Sequence, residues 1–114
     1  MRRGAFSGVT FIVDRRHYMS LQIIQMRITF TPAKRDGTLA ERGLDFADAG
    51  RVFAGPHAII ESAVEHGELR YITPGHLDGR FVMVIWTPRG DARHIISMRY
   101  GHAKEEKRYL HRLE

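Results

Sequence analysis

The chain has no cysteine among its 114 residues. A disulfide framework and a thiolate metal site are therefore excluded, and the absence fits a reducing cytoplasm. No apolar run approaches the roughly 20 residues that a membrane-spanning helix requires. The opening MRRGAFSGVTFIV is basic and weakly apolar, but Ser7, Gly8 and Thr10 break it and DRRHY follows it. That is not the small-residue cleavage site of a signal peptide. The seven histidines form no HExxH or HxH pattern, so no metal is expected. Neither GxxxxGK(S/T) nor GxGxxG is present, so no nucleotide-binding loop and no cofactor is expected either.

What is present points to one domain with a modest core and a basic balance. Lys and Arg number 18 against 13 Asp and Glu, and fifteen of the cations are Arg, whose guanidinium forks onto phosphate. Arg2, Arg3, Arg15 and Arg16 lie within the first 25 residues, where Asp14 is the one acid. The body from Met26 onward carries 14 cations against 12 anions, only +2. Residues 1–25 read as an extension, disordered or the product of an over-called start, with Met19 and Met26 as alternative starts. A basic arm that binds nucleic acid is the alternative.

The domain proper is 26–114. Ile28 to Phe30 closes a first strand, and Thr31-Pro32 is an N-cap followed by proline at the first helical position. That helix is expected to reach Arg42, with Gly43 as its C′ residue. Asp45 is expected to cap a second helix through Phe53, with Phe46, Ala49 and Phe53 on one face. Four strands follow: His57 to Val64, Glu68 to Pro74, Phe81 to Thr87 and Arg93 to Tyr100. Turns are expected at Glu65-His66-Gly67 and Arg89-Gly90-Asp91, and a loop from Gly75 to Gly79. His102 to Leu113 is a final helix with a basic flank. The sum is an α+β domain, β-α-α-β-β-β-β-α, with two N-terminal helices and a C-terminal helix on one side of an antiparallel sheet.

A sheet covered on one side leaves its other side open, and charged residues should gather there. Strand alternation puts Glu68 and Arg70 on one face. It puts Arg93, Ile95, Ser97 and Arg99 on one face of the last strand, and His94, Ile96, Met98 and Tyr100 on the other. Convergence of Glu68, Arg70, Ser97 and Arg99 on the open face would suit a phosphodiester, because guanidinium groups stabilise charge developing on a phosphoryl group. The plainer reading is a cross-strand ion pair between Glu68 and Arg70, with Arg99 held by a carboxylate or a helix end. Histidine is the side chain whose ordinary pKa lies nearest neutrality, so His94 and His102 are acid–base candidates.

Four segments, in their order and spacing, resemble the BrnT family of bacterial type II toxins. They are PAK at 32–34 with TLAERGLDFADAGRVF after it, HGELRYITPG at 66–75, DGRFVMVIWTPRG at 78–90, and HIISMR at 94–99 followed by Glu105 and Tyr109. The resemblance implies a RelE-like fold and a ribonuclease that cuts RNA and arrests translation; the mechanism expected is that of a metal-independent endoribonuclease. It also implies a BrnA-like antitoxin that neutralises the toxin and through which alone operator DNA is bound. Catalytic candidates on this reading are Glu68, Arg70, His94, Arg99 and Tyr100. Glu68 or His94 is the general base, Arg70 and Arg99 stabilise phosphoryl charge, and Tyr100 stacks on a base or positions the leaving group. Lys34, Arg80, Arg89, Arg93 and Ser97 are the RNA-binding candidates.

The chain departs from the family pattern at Thr31, Thr38 and Glu41-Arg42. It departs again at His94, where Arg is common, and at Tyr100, where Lys is common. These departures motivate an alternative: a weak or inactive homologue that serves as an antitoxin-binding module and co-repressor. Strand parity also sets His94 and Arg99 on opposite faces, so both can act together only if the strand twists or bulges.

Overall fold

Residues 9–11 and 23–114 are described by a computed structural model. Strands β1 (Val9–Phe11) and β2 (Ile23–Gln25) pair antiparallel as a separate two-stranded ribbon. The expectation for residues 1–25 otherwise falls outside the described residues.

Strand β3 (Arg27–Phe30) leads into helix α1 (Pro32–Arg42). Pro32 takes the first helical position, and Gly43 ends the helix at φ 71° with its N–H on the Leu39 carbonyl. Thr31 flanks the start with extended backbone, but its hydroxyl makes no capping bond. Gly37 sits inside α1, where glycine costs about 0.5–1 kcal/mol relative to alanine. Asp45 accepts the Ala47 N–H at 2.9 Å and caps a 3₁₀ turn, Phe46–Asp48, which runs on into α2 (Ala49–Ala54). The second helix therefore stands where the sequence puts it, with a 3₁₀ first turn.

Strands β4 (Ile60–Glu65), β5 (Glu68–Leu77), β6 (Arg80–Arg89) and β7 (Ala92–Tyr100) form the meander. The five-stranded sheet has the order β3-β7-β6-β5-β4. It is mixed rather than antiparallel: β3 runs parallel to β7, with Arg27 opposite Ala92 and Phe30 opposite Ile95. Three hairpin turns bring β7 back to β3 in the same direction, while the two helices carry the chain across the sheet from β3 to β4. A parallel pair needs such a crossover, and a four-residue strand gives no local sign of it.

Two strand limits also differ from expectation. β5 does not stop at Pro74; Gly75 and His76 still pair with Val82 and Phe81, and the turn is only Asp78-Gly79 at φ 51° and 79°. Pro74 is tolerated because the N–H it lacks would face Ala58, outside β4, where its carbonyl accepts the Ala58 N–H and no ladder bond is lost. His57 makes only an isolated bridge to Gly75, so β4 begins at Ile60.

The main core lies on the face of the sheet that α2 covers. Phe46, Ala49, Val52 and Phe53 pack there on Val82, Val84, Trp86, Ile95 and Met98. Trp86 is the hub: its ring stacks on Tyr71 at 5.0 Å, meets Phe53 edge-on at 5.5 Å, and donates its indole N–H to Thr73 at 2.8 Å. The helices are not all on one side. α3 (Ala103–Tyr109), followed by a 3₁₀ turn at Leu110–Arg112, reaches the opposite face through Glu105 to Arg99 and Glu106 to His76. Phe81 and Met83 are buried there, outside the main cluster.

Candidate active site

One irregularity in β7 decides which side chains meet. Ser97 lies opposite Ile85, but Ile95 lies opposite Trp86, so Ile96 is an extra residue in the ladder. A bulge of this kind reverses the alternation beyond it. Before it, Arg93 and Ile95 face the core and His94 faces the open side. After it, Met98 and Tyr100 face the core side while Ser97 and Arg99 face the open one. His94 and Arg99 therefore share a face, and the parity conflict in the sequence disappears.

At one end of that open face, four adjacent strands present polar side chains. β5 supplies Glu68 and Arg70, β6 supplies Thr87 and Arg89, β7 supplies His94, and β3 supplies Thr29. Arg89 grips Glu68 with two bonds, at 2.8 and 3.0 Å. Arg70 donates to Glu65 at 2.6 Å, while its Nε is buried without a partner among the described residues. The Thr87 hydroxyl, opposite His94, is buried and donates to the Leu69 carbonyl at 2.8 Å. Thr29 Oγ1 lies 2.9 Å from His94 Nδ1, leaving Nε2 without a protein partner among the described residues.

The electrostatics separate the two base candidates. Glu68 is held below the usual carboxylate range, chiefly by its bonds to Arg89, with His94 and Arg70 adding to the effect. His94 is also shifted down, first by burial and then by the Arg89 and Lys34 charges, against an opposing pull from Glu68. A histidine shifted down is neutral at pH 7 and retains a lone pair to accept a proton. A carboxylate so well paired is a poor base.

Of the other candidates, Arg93, Arg80, Tyr100 and Arg99 lie elsewhere, while Lys34 borders the cluster. Arg93, expected beside Ser97 and Arg99, is instead buried on the core face, its guanidinium 3.8 Å from the Phe53 ring centre and 5.1 Å from that of Trp86. Burial brings its pKa down to about 10, which leaves it charged at neutral pH. Arg80 lies 3.7 Å over the Tyr100 ring, at the far end of the sheet and on the core side. Arg99 shares the face of His94 but stands roughly 15 Å along the strand, at about 3.3 Å per residue. Glu105 holds it with bonds of 2.9 and 2.7 Å. Lys34 and Ser97 both line a groove between α1 and the bulge. Thr29 joins the site unannounced, because the parallel β3–β7 pairing that brings it there connects residues 65 apart, whereas Thr87 comes opposite His94 through the short β6–β7 hairpin. Among the described residues no cluster of His, Asp and Glu could hold a metal, and no helix is long and apolar enough to cross a membrane.

The family model described as the ribonuclease toxin, BrnT, of type II toxin–antitoxin systems matches residues 30–105. The chain belongs to the BrnT family. The match opens at the end of β3 and closes at Glu105, so it spans the candidate cluster apart from Thr29. BrnT proteins are ribonuclease toxins, and a type II system implies an antitoxin partner. Comparisons with curated proteins and with solved structures gave no match.

The Arg99–Glu105 pair gives this BrnT chain an acid-sensitive contact. Glu105 is held at about 2, first by Arg99 and then by the His102 backbone N–H. A depressed carboxylate contributes stability above its unfolded value, about 4.3, and loses it as pH falls through the folded one. Docking of α3 is therefore expected to weaken between roughly pH 4 and 2. Glu105→Gln should show the same loosening at neutral pH, read as faster amide exchange in α3.

Proposed function

We propose that this BrnT chain is a metal-independent endoribonuclease whose reaction centre is the Glu68–Arg70–Arg89–His94 cluster. His94 Nε2 takes the proton from an RNA 2′-hydroxyl as that oxygen attacks the adjacent phosphorus. The P–O5′ bond breaks, giving a 2′,3′-cyclic phosphate; the departing O5′ takes a proton from water, and the His94 imidazolium returns its proton to solvent. Arg70, Arg89 and Lys34 stabilise the extra negative charge on the phosphoryl oxygens. Glu68 sets the Arg89 fork and does not act as base. Arg99 would reach the RNA only beyond the scissile phosphate, and only after releasing Glu105.

The observation that supports this reading is the bulge at Ile96, with His94 on the open face within the field of the Arg89 guanidinium and the Lys34 ammonium. Thr29 is then a positioning residue: for Nε2 to accept a proton, Nδ1–H must donate to its hydroxyl. In the cell the enzyme would arrest translation in the cytoplasm. A BrnA-like antitoxin would neutralise it and carry the pair to operator DNA. The test is cleavage of a defined single-stranded RNA with a chelator present. Products ending in 2′,3′-cyclic phosphate are expected, and Thr29→Val should slow cleavage about tenfold, a share of the 10²–10⁴ that a general base supplies. Cleavage only with added metal, or 5′-phosphate products, would contradict the mechanism.

The alternative, a binding module without catalysis, gains support from Arg99 and Arg89 both being engaged by carboxylates. Purified protein that leaves RNA intact yet binds its antitoxin tightly would favour it.

A further inference from the structure

We infer that the groove between α1 and the β7 bulge is a subsite for one nucleobase of single-stranded RNA, adjoining the scissile phosphate. The inference deepens the ribonuclease reading and rests on it for the identity of the ligand. The groove has a volume of about 370 Å³. That lies near the lower end of the roughly 300–1,000 Å³ of small-molecule sites, which suits a single nucleotide rather than a folded partner. Lys34 belongs to both regions: it lines the groove, and its charge helps lower the His94 pKa. An RNA strand with its phosphate at His94 therefore has the groove beside it.

Gly37 is the strongest sign that something enters. It lines the groove from inside α1. It has no left-handed φ to explain a glycine, and a Cβ built there would meet nothing within 4 Å. Neither the backbone nor the packing needs glycine at this position, while the helix would be better off with alanine. A flat ligand lying against the helix does need the missing side chain. Gly75 and Gly101 make the contrast, because a Cβ on either would clash with Val52 or Phe81.

The lining chooses the ligand. Glu41 stands on the same wall as Lys34 and Arg42; the Arg42 guanidinium donates to the Met98 carbonyl at 2.8 Å, whereas the Glu41 carboxylate repels a second phosphate but accepts N–H groups from a base edge. Thr38 and Ser97 add hydroxyls that donate or accept, and Ile96 offers an apolar surface because the bulge pushes it out of the ladder. Unstacked bases are read in this way, on their hydrogen-bonding edges against an apolar or aromatic surface. Guanine, adenine and cytosine carry an exocyclic amine for Glu41; uracil does not. The subsite should therefore disfavour uracil.

The test uses the full chain in two assays. The first titrates the four nucleoside 3′-monophosphates and follows amide shifts of α1 and β7. The second maps cut positions in a random-sequence RNA. Wild type should bind the amine-bearing nucleotides more tightly than uridine monophosphate and should avoid uracil at one position beside the cut. Gly37→Ala should melt higher than wild type yet bind at least fivefold more weakly. Glu41→Gln should lose the discrimination against uracil. Nucleotide shifts confined to residues outside the groove, or Gly37→Ala binding as well as wild type, would overturn the subsite. Failure of the ribonuclease reading is distinct: RNA stays intact while the nucleotides still bind in the groove and Gly37→Ala still weakens them.

Discussion

Replacing His94 with glutamine is expected to lower RNA cleavage by about 10²–10⁴-fold, the usual contribution of a positioned general base. Glutamine keeps a polar side chain of similar reach on β7, so the fold and the affinity for RNA should change little. The pH profile supplies a second readout. A base works only when deprotonated, so the rate rises with pH through the His94 pKa. Burial and the neighbouring Arg89 and Lys34 charges move that pKa below the ordinary histidine value, about 6.5. Wild-type activity should therefore reach half its plateau below that pH, and the rising limb should vanish in His94→Gln. A rising limb retained in the variant would assign it to another group.

Trp86→Ala should be the most damaging substitution in the core. Truncating a buried tryptophan typically costs about 3–5 kcal/mol. Here the loss compounds, because Trp86 stacks on Tyr71, abuts Phe53 and bonds Thr73. It also forms one aromatic neighbour of Arg93, which is buried with its Nε unpartnered among the described residues. Against a total stability of about 5–15 kcal/mol, the variant should be largely unfolded near 37 °C. Thermal unfolding by circular dichroism measures this directly, and a midpoint within about 5 °C of wild type, worth roughly 1 kcal/mol in a domain this size, would contradict the account. Trp86→Phe, which keeps an aromatic ring against Phe53 and Arg93, should lose less.

The contrast between these two residues shows what the sequence can carry. Trp86 lies in an apolar, β-branched run between turn residues, so its burial follows from local pattern. The same holds for α1, where proline at the first position and glycine after the last fix both limits from adjacent residues alone. The placement of His94 does not follow from local pattern. Strict alternation sets it against Arg99, and only the pairing of β7 with β6 shows Ile96 as the extra residue. Arg93 misleads for the same reason: its charge suggests the open face, but the true parity buries it between aromatic rings. Thr29 is harder still, because the parallel β3–β7 pair joins residues 65 apart. Elements are legible where the signal is local; in the proposed site the sequence supplies Glu68, Arg70, Arg89 and His94 as candidates, while their shared face and Thr29 follow only from strand pairing.

Cleavage kinetics at the two ends of the open face decide between His94 and Arg99 as the reaction centre. Single-turnover cleavage of one RNA would be measured for His94→Gln, Arg70→Ala and Arg99→Ala, each checked for folding. With the reaction centre at the cluster, the first two lose at least about 10²-fold, the lower end for a general base and for a group that stabilises transition-state charge. Arg99→Ala is expected to lose less than about tenfold, in keeping with a residue outside the reaction centre. Near-wild-type cleavage by His94→Gln, or Arg99→Ala as the inactive variant, would place the chemistry at the α3 end of the sheet and contradict the account.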